Sequence, residues 1–186
     1  MSYKTDNQIF ADIVGIIRAF LSNSGQTGWT VVQGYQPRPL GQHNKLITLS
    51  EVYSVPVGFQ GGGDETKYND DGTITLVHVE KWREEVSIQI GCLCNRQPNS
   101  DTVATWSAVD MAKMLKTFFN STAGIAALVT SGYGKLRIDN IRVGKFLNSS
   151  ENFQLIPGFD LVLLHDQVIE SAATEAVIKG AKIVGV

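Results

Sequence analysis

The chain is poor in the residues that usually announce a chemistry. Two cysteines in 186 residues, Cys92 and Cys94, are too few and too close together for a disulfide framework. Their spacing puts both on one face of a strand, where they read as buried thiols of a reducing compartment. Three histidines, His43, His78 and His165, are scattered singly, so none has the partners a zinc site requires. No apolar run approaches the ~20 residues of a membrane helix. The opening MSYKTDNQIF is polar and carries Lys4 and Asp6, which a secretory signal would not. Charge of one sign is missing as well. Sixteen Lys and Arg stand against 18 Asp and Glu, a net of -2. That balance excludes the basic footprint of a nucleic-acid binder and the polybasic surface that anionic lipid attracts.

What is present is globular. A hydrophobic share of 43% with 18% charged residues can bury a core. The length suits one domain, expected over residues 1–169, with an Ala- and Val-rich tail over 170–186 that orders on assembly. Thr5 and Gln8 form a capping box before an apolar run. Ile9, Ile13, Ile16, Ile17 and Phe20 then line one helical face, and Ser22-Asn23-Ser24-Gly25 ends it. Trp29 to Gln33 and Lys45 to Tyr53 read as strands. A second helix is expected from a cap at Ser100 or Asp101 to Phe119, with Ala104, Ala108, Met111, Leu115 and Phe118 as its stripe. A short third helix follows over 121–130. Strands are expected at Lys135 to Val143, Asn152 to Ile156 and Phe159 to Asp166. Pro157-Gly158 acts as a bulge or kink inside one long strand.

Two segments stand apart. Residues 54–72 contain Gly61-Gly62-Gly63 and Asn69-Asp70-Asp71-Gly72 and read as a long acidic loop. It is not a phosphate loop, because Asp64-Glu65 follows the glycines where Lys-Ser/Thr is needed. It is not an EF-hand loop, because Lys67 occupies the first ligand position. From Thr73 to Cys94 the chain is strand-like throughout, and Val86, Ile88, Ile90, Cys92 and Cys94 alternate strictly. Fully extended it would reach ~70 Å at about 3.3 Å per residue. A compact domain of this size has a radius of gyration of about 16 Å. Either the chain turns near Glu80-Lys81-Trp82-Arg83-Glu84-Glu85, or that charged stretch projects. The element order implies an α+β two-layer sandwich, a mainly antiparallel β-sheet with two to three helices on one face and a projecting β arm.

No catalytic constellation emerges. There is no nucleophile elbow, Walker loop, H-E-x-x-H or dinucleotide fingerprint. Asp70-Asp71 and Glu84-Glu85 are paired acids, but neighbours in a strand face opposite ways. The chain is read as non-enzymatic, with no cofactor and no metal.

The segments DNQIFADIVGIIRAFL, VVQGYQPRPLG and LITLSEV, with the later block EKWREEVSIQIGCLC after Asp70-Asp71-Gly72-Thr73 and the closing ENFQLIPGFDLVLLHDQVI, resemble the bacteriophage neck or tail terminator family over residues 6–169. The Gly61–Gly63 stretch and the chain after Glu170 depart from the family pattern. The resemblance implies a virion protein assembled in the host bacterial cytoplasm. It would form a homo-oligomeric ring, a hexamer, that caps the tail tube and meets a neck or head–tail connector protein. DNA would pass through its lumen without specific binding. On this reading Lys81, Trp82, Arg83, Glu84 and Glu85 of the arm, with Asp64, Glu65, Asp70 and Asp71 of the loop, are the candidate protein-interaction residues.

Overall fold

A computed structural model describes residues 4–34, 45–68, 74–94, 107–147 and 153–172. Helix α1 (Asp6–Asn23) begins where the sequence places it: Thr5 is the N-cap, and its hydroxyl and the Gln8 side chain complete the capping box. Ile9, Phe10, Ile13, Ile17 and Leu21 are its buried face. Helix α2 (Ala108–Asn120) starts later than expected. Its cap is Ser107 rather than Ser100 or Asp101, because Ser107 and Asp110 form the capping box, with the Ser107 hydroxyl donating to Asp110 Oδ2 at 2.6 Å. Ala104 lies outside the described residues. Ser121 then serves twice, as C-cap of α2 and N-cap of α3 (Thr122–Thr130).

The strands are β1 (Thr30–Gln33), β2 (Lys45–Tyr68), β3 (Ile74–Cys94), β4 (Gly134–Ile138), β5 (Arg142–Leu147) and β6 (Phe153–Ala172). They form one sheet in the order β1-β2-β3-β6-β4, with β5 also paired to β6. Only the β1–β2 pair is parallel. The helices cover one face, over a core in which Ile47, Leu49, Val86, Ile88, Ile90, Cys92, Phe159, Leu161 and Leu163 meet Ile13, Ile17, Met111, Leu115, Phe119 and Leu128. Phe159, Leu161 and Leu163 are fully buried, and each such side chain contributes about 1.5–3 kcal/mol of transfer free energy.

Two expectations change here. Residues 54–68 are not a loop: β2 continues through them, and Gly61, Gly62 and Gly63 pair with Lys81, Glu80 and Val79. Low strand propensity is overridden by a long partner, and the misfit is absorbed in register shifts at Glu51/Tyr53 and Val57/Gly61, with Gly58 at φ 86°. At residues 80–85, where the sequence leaves a turn and a projection both open, the chain projects. β3 runs unbroken, with β2 on one edge and β6 on the other. The anticipated strand from Lys135 to Val143 is divided instead. Between Ile138 and Arg142 the chain advances four positions while β6 advances three, from Leu161 to Gly158. Asp139 anchors the interruption by donating its amide to the Asp160 carbonyl at 3.0 Å.

The core on β3 ends at Val86 and on β6 at Leu163. Beyond these positions β2, β3 and β6 continue together as a three-stranded arm. Its β3 portion, Ile74 to Glu85, extends roughly 40 Å at about 3.3 Å per residue.

Pro157-Gly158 does lie inside one long strand, as its sequence suggests. Gly158 sits directly opposite Gly91, and a Cβ on Gly158 would lie 2.9 Å from the Ile90 carbonyl oxygen. That neighbour is backbone and cannot step aside. Gly158→Ala should therefore destabilise the protein by about 1–3 kcal/mol, read as a lower urea midpoint with an unchanged m-value.

Candidate functional site

The arm and its junction with the body hold the charged residues that the sequence singles out. On one face of the arm, opposite charges pair across strands, with Lys67 of β2 reaching over β3 to Glu170 of β6. Lys81 Nζ donates to Glu65 Oε1 at 2.5 Å, Arg83 Nε donates to Asp166 Oδ1 at 2.9 Å, and Lys67 pairs with Glu170. The Arg83–Asp166 pair follows directly from register, since the two residues stand opposite each other. All are solvent-exposed, so each adds little to stability. They keep the arm soluble and aligned more than they hold it together. Glu85 is held at the same face by Tyr53, whose hydroxyl donates at 2.6 Å, and by Arg137 at 3.5 Å.

The opposite face of the arm continues the side that carries Val86, Ile88 and Ile90, and it opens on a polar junction. Glu84 accepts from the Ser54 hydroxyl and from Gln167 Nε2, the latter at 2.9 Å. Gln167 is buried and clamps the chain ahead of α1: the Lys4 amide donates to Gln167 Oε1 at 3.0 Å, and Gln167 Nε2 donates to the Lys4 carbonyl at 3.1 Å. Lys4 Nζ reaches Asp12 at 2.8 Å and the Ser131 carbonyl at 2.5 Å. The Tyr133 hydroxyl donates to Asp12 at 2.7 Å. Burial, reinforced by that bond, pushes the Tyr133 hydroxyl far above its ordinary range.

Trp82, half-buried, stands opposite Gln167 at this junction. Asp64, expected in a loop with Glu65, lies instead on the β2 strand of the arm, 2.8 Å from His78 Nδ1. Asp70 and Asp71 lie outside the described residues, as does His43. The structure thus brings Glu65 to Lys81, but it separates Glu84 from Glu85 onto opposite faces. Sequence reasoning missed Lys67, Asp166 and Glu170, which complete the cross-strand pairs, because their partners are fixed only by register. It also missed Lys4 and Gln167. The Thr5–Gln8 capping box located the helix start but not what the preceding residue touches.

Two thiols and a histidine have plain surroundings. Burial pushes Cys92 up to about 12, which makes it a core residue and no nucleophile at neutral pH. Cys94 packs at the edge of the same core. His165 is buried against the Tyr133 ring, with neither ring nitrogen hydrogen-bonded among the described residues. Among the described residues no group of His, Cys, Asp and Glu is arranged to hold a metal ion.

A separate feature lies on the outer side of the helices. Phe20 of α1 and Phe118 of α2 stack with ring centroids 4.1 Å apart and line an open groove of about 1480 Å³. Ala11, Gly15 and Ala19 form its α1 wall, while Ala123 and Ala127 line it from α3.

An α+β body with a projecting three-stranded arm and self-paired surface charge defines the class of protein. Residues 8–175 match the family of E217 gateway protein gp29, and the chain belongs to that family. It is a gateway-type structural protein of the bacteriophage virion. Among curated proteins, none matches the chain. Among the described residues no helix is long and apolar enough to cross a membrane.

Burial lowers the His165 pKa below its ordinary 6.5, with the nearby Glu84 carboxylate opposing only in part. The unfolded chain therefore takes up this proton before the folded one does. The stabilisation is complete above about pH 6.5 and is lost as pH falls through the lower folded value. Urea midpoints measured from pH 7.5 down to 5 should fall, and His165→Gln should flatten that dependence.

Proposed function

We propose that this protein forms a ring, a hexamer, at the head–tail junction, where it caps the tail tube, stops its elongation and joins it to a neck or head–tail connector protein. Its work is structural and not enzymatic. The observation that carries the reading is membership of the gateway family by a chain whose three longest strands extend past their own core. A subunit that closes into a ring needs two different surfaces, and an arm distinct from the body supplies them. Ion pairs satisfied within the arm keep it soluble before it docks. The net charge of -2 suits a lumen through which DNA passes without being held.

A second reading is favoured by the gateway family itself: an adaptor that joins head and tail without ending tube growth. Tube length separates the two. Without a capping protein, tubes grow beyond the normal length. Without an adaptor, tubes keep that length and stay unattached to heads.

Electron microscopy of the purified protein, alone and mixed with tail tubes, should show rings with a central hole, free or seated on tube ends. A species that stays monomeric and leaves tube ends bare would overturn the ring reading. Reversing Lys81 and Arg83 to Glu should lower the yield of joined particles at least about tenfold while circular dichroism stays unchanged. Glu84 is left out of this test, since its bonds to Ser54 and Gln167 make it part of the fold.

A further inference from the structure

Charge is divided unevenly between arm and body. Residues 54–68, 74–85 and 164–172, the described arm, hold seven carboxylates against three cations; the remaining described residues hold nine cations against six carboxylates. On the arm the cations are spent on one face, against Glu65, Asp166 and Glu170. The opposite face keeps Asp64 and Glu80, exposed at 57% and 44%, around His78. Two exposed apolar side chains accompany them: Leu76, and Ile169, which pairs directly with Glu80.

The complementary surface is on the body, where α2 meets β4. Lys116 Nζ donates to Asn140 Oδ1 at 3.3 Å, and Lys135 Nζ donates to Asn120 Oδ1 at 2.9 Å. Both cations are thus oriented by neutral amides, and among the described residues neither meets a carboxylate at ion-pair distance. Lys116 and Asn120 are one helical turn apart, so the two ammonium groups belong to one patch. Leu136, exposed at 45%, is Lys135's neighbour in the chain, and Val143 on β5 is also exposed.

We infer that the acidic, apolar-bearing face of the arm docks on the Lys116–Lys135 edge of a second copy of this chain. This inference rests on the ring reading and names the contact that closes the ring. The two surfaces are different parts of one chain, which is the requirement for a head-to-tail interface. Their charges are opposite, and the arm face carries exposed apolar side chains, Leu76 and Ile169, that a partner would cover. On this face Asp64 meets His78, and Glu80 accepts from Gln60 Nε2 at 3.1 Å; among the described residues neither meets a Lys or Arg at ion-pair distance.

A charge swap in the full chain tests this. Sedimentation over a concentration series would compare wild type, K116E/K135E, D64K/E80K and the fourfold variant, with circular dichroism as a check on fold. The neutralised forms K116Q/K135Q and D64N/E80Q stand in where a reversal disturbs folding. Wild type should assemble. Each reversed pair should raise the half-assembly concentration about tenfold or more, and the fourfold swap should return it to within about threefold of wild type. Reversed pairs that assemble like wild type, or a folded fourfold variant that does not recover, would overturn this contact and leave the ring reading standing. A wild type that stays monomeric at every concentration, with bare tube ends, would defeat the ring reading and this contact with it.

Discussion

Every other element takes its place from β3, which is paired along both edges at once. Opposite it on one side run the residues of β2 from Lys45 to Tyr68, and on the other those of β6 from Gly158 to Ala172. A strand fixed on both edges cannot slip by one residue without turning its whole buried set to the other face. That constraint reaches from the core into the arm. The same alternation that presents Val86, Ile88 and Ile90 to the helices delivers Glu84 to Gln167, and on the other face it sets Arg83 against Asp166. The body therefore fixes the arm's chemistry. Packing of Leu161 and Leu163 beneath α2 sets the register in which the arm's charges meet.

The junction between the two halves is handled differently. The core shared with the helices stops at Val86 and Leu163, and polar groups take over at the junction, although Val79 farther out on β3 is buried again. Gln167 uses its amide to pair with both backbone groups of Lys4, much as a neighbouring strand would, and so ties the chain ahead of α1 to β6. Lys4 in turn reaches Asp12 and the turn after α3. Buried polar groups are tolerable when they are satisfied, and here most of them are. His165 is the exception. Burial disfavours its charged form, although the Glu84 carboxylate lies 3.5 Å from Nε2.

How much of this could be read from the residues differs by element. The first helix was legible to its cap, since Thr5, Gln8 and the Ile9–Leu21 stripe are local signals that tertiary structure did not contradict. So was the closing strand, whose Pro157-Gly158 bends it without ending it. The α+β sandwich followed from the order of elements. The arm was only half legible. Its β3 portion carried a strand signal, but β2 past Tyr53 is glycine-rich and polar, and it is a strand only because β3 is there to pair with it. Local propensity cannot contain that. The start of α2 was misplaced because Ser100 and Asp101 imitate a cap, while the reciprocal pair at Ser107 and Asp110 is the one that closes. Among the candidate interaction residues, Lys81 and Arg83 were visible as charges, but not the fact that Glu65 and Asp166 already answer them.

That last point changes what a charged arm is for. An arm rich in unpaired charge would repel its own copies and bind unselectively to anything of opposite sign. An arm whose cations are answered by its own neighbouring strands does neither, and what remains is a short acidic margin with a few apolar side chains. Contacts of that kind are individually weak and reversible, which is what assembly around a closed ring requires. A subunit placed wrongly must be able to leave, and a subunit placed correctly is retained because both of its surfaces are engaged at once. In the proposed ring, strength would come from closure and not from any single pair. This is consistent with a chain that spends its strongest interactions, the buried faces of β3 and β6, on holding the arm straight.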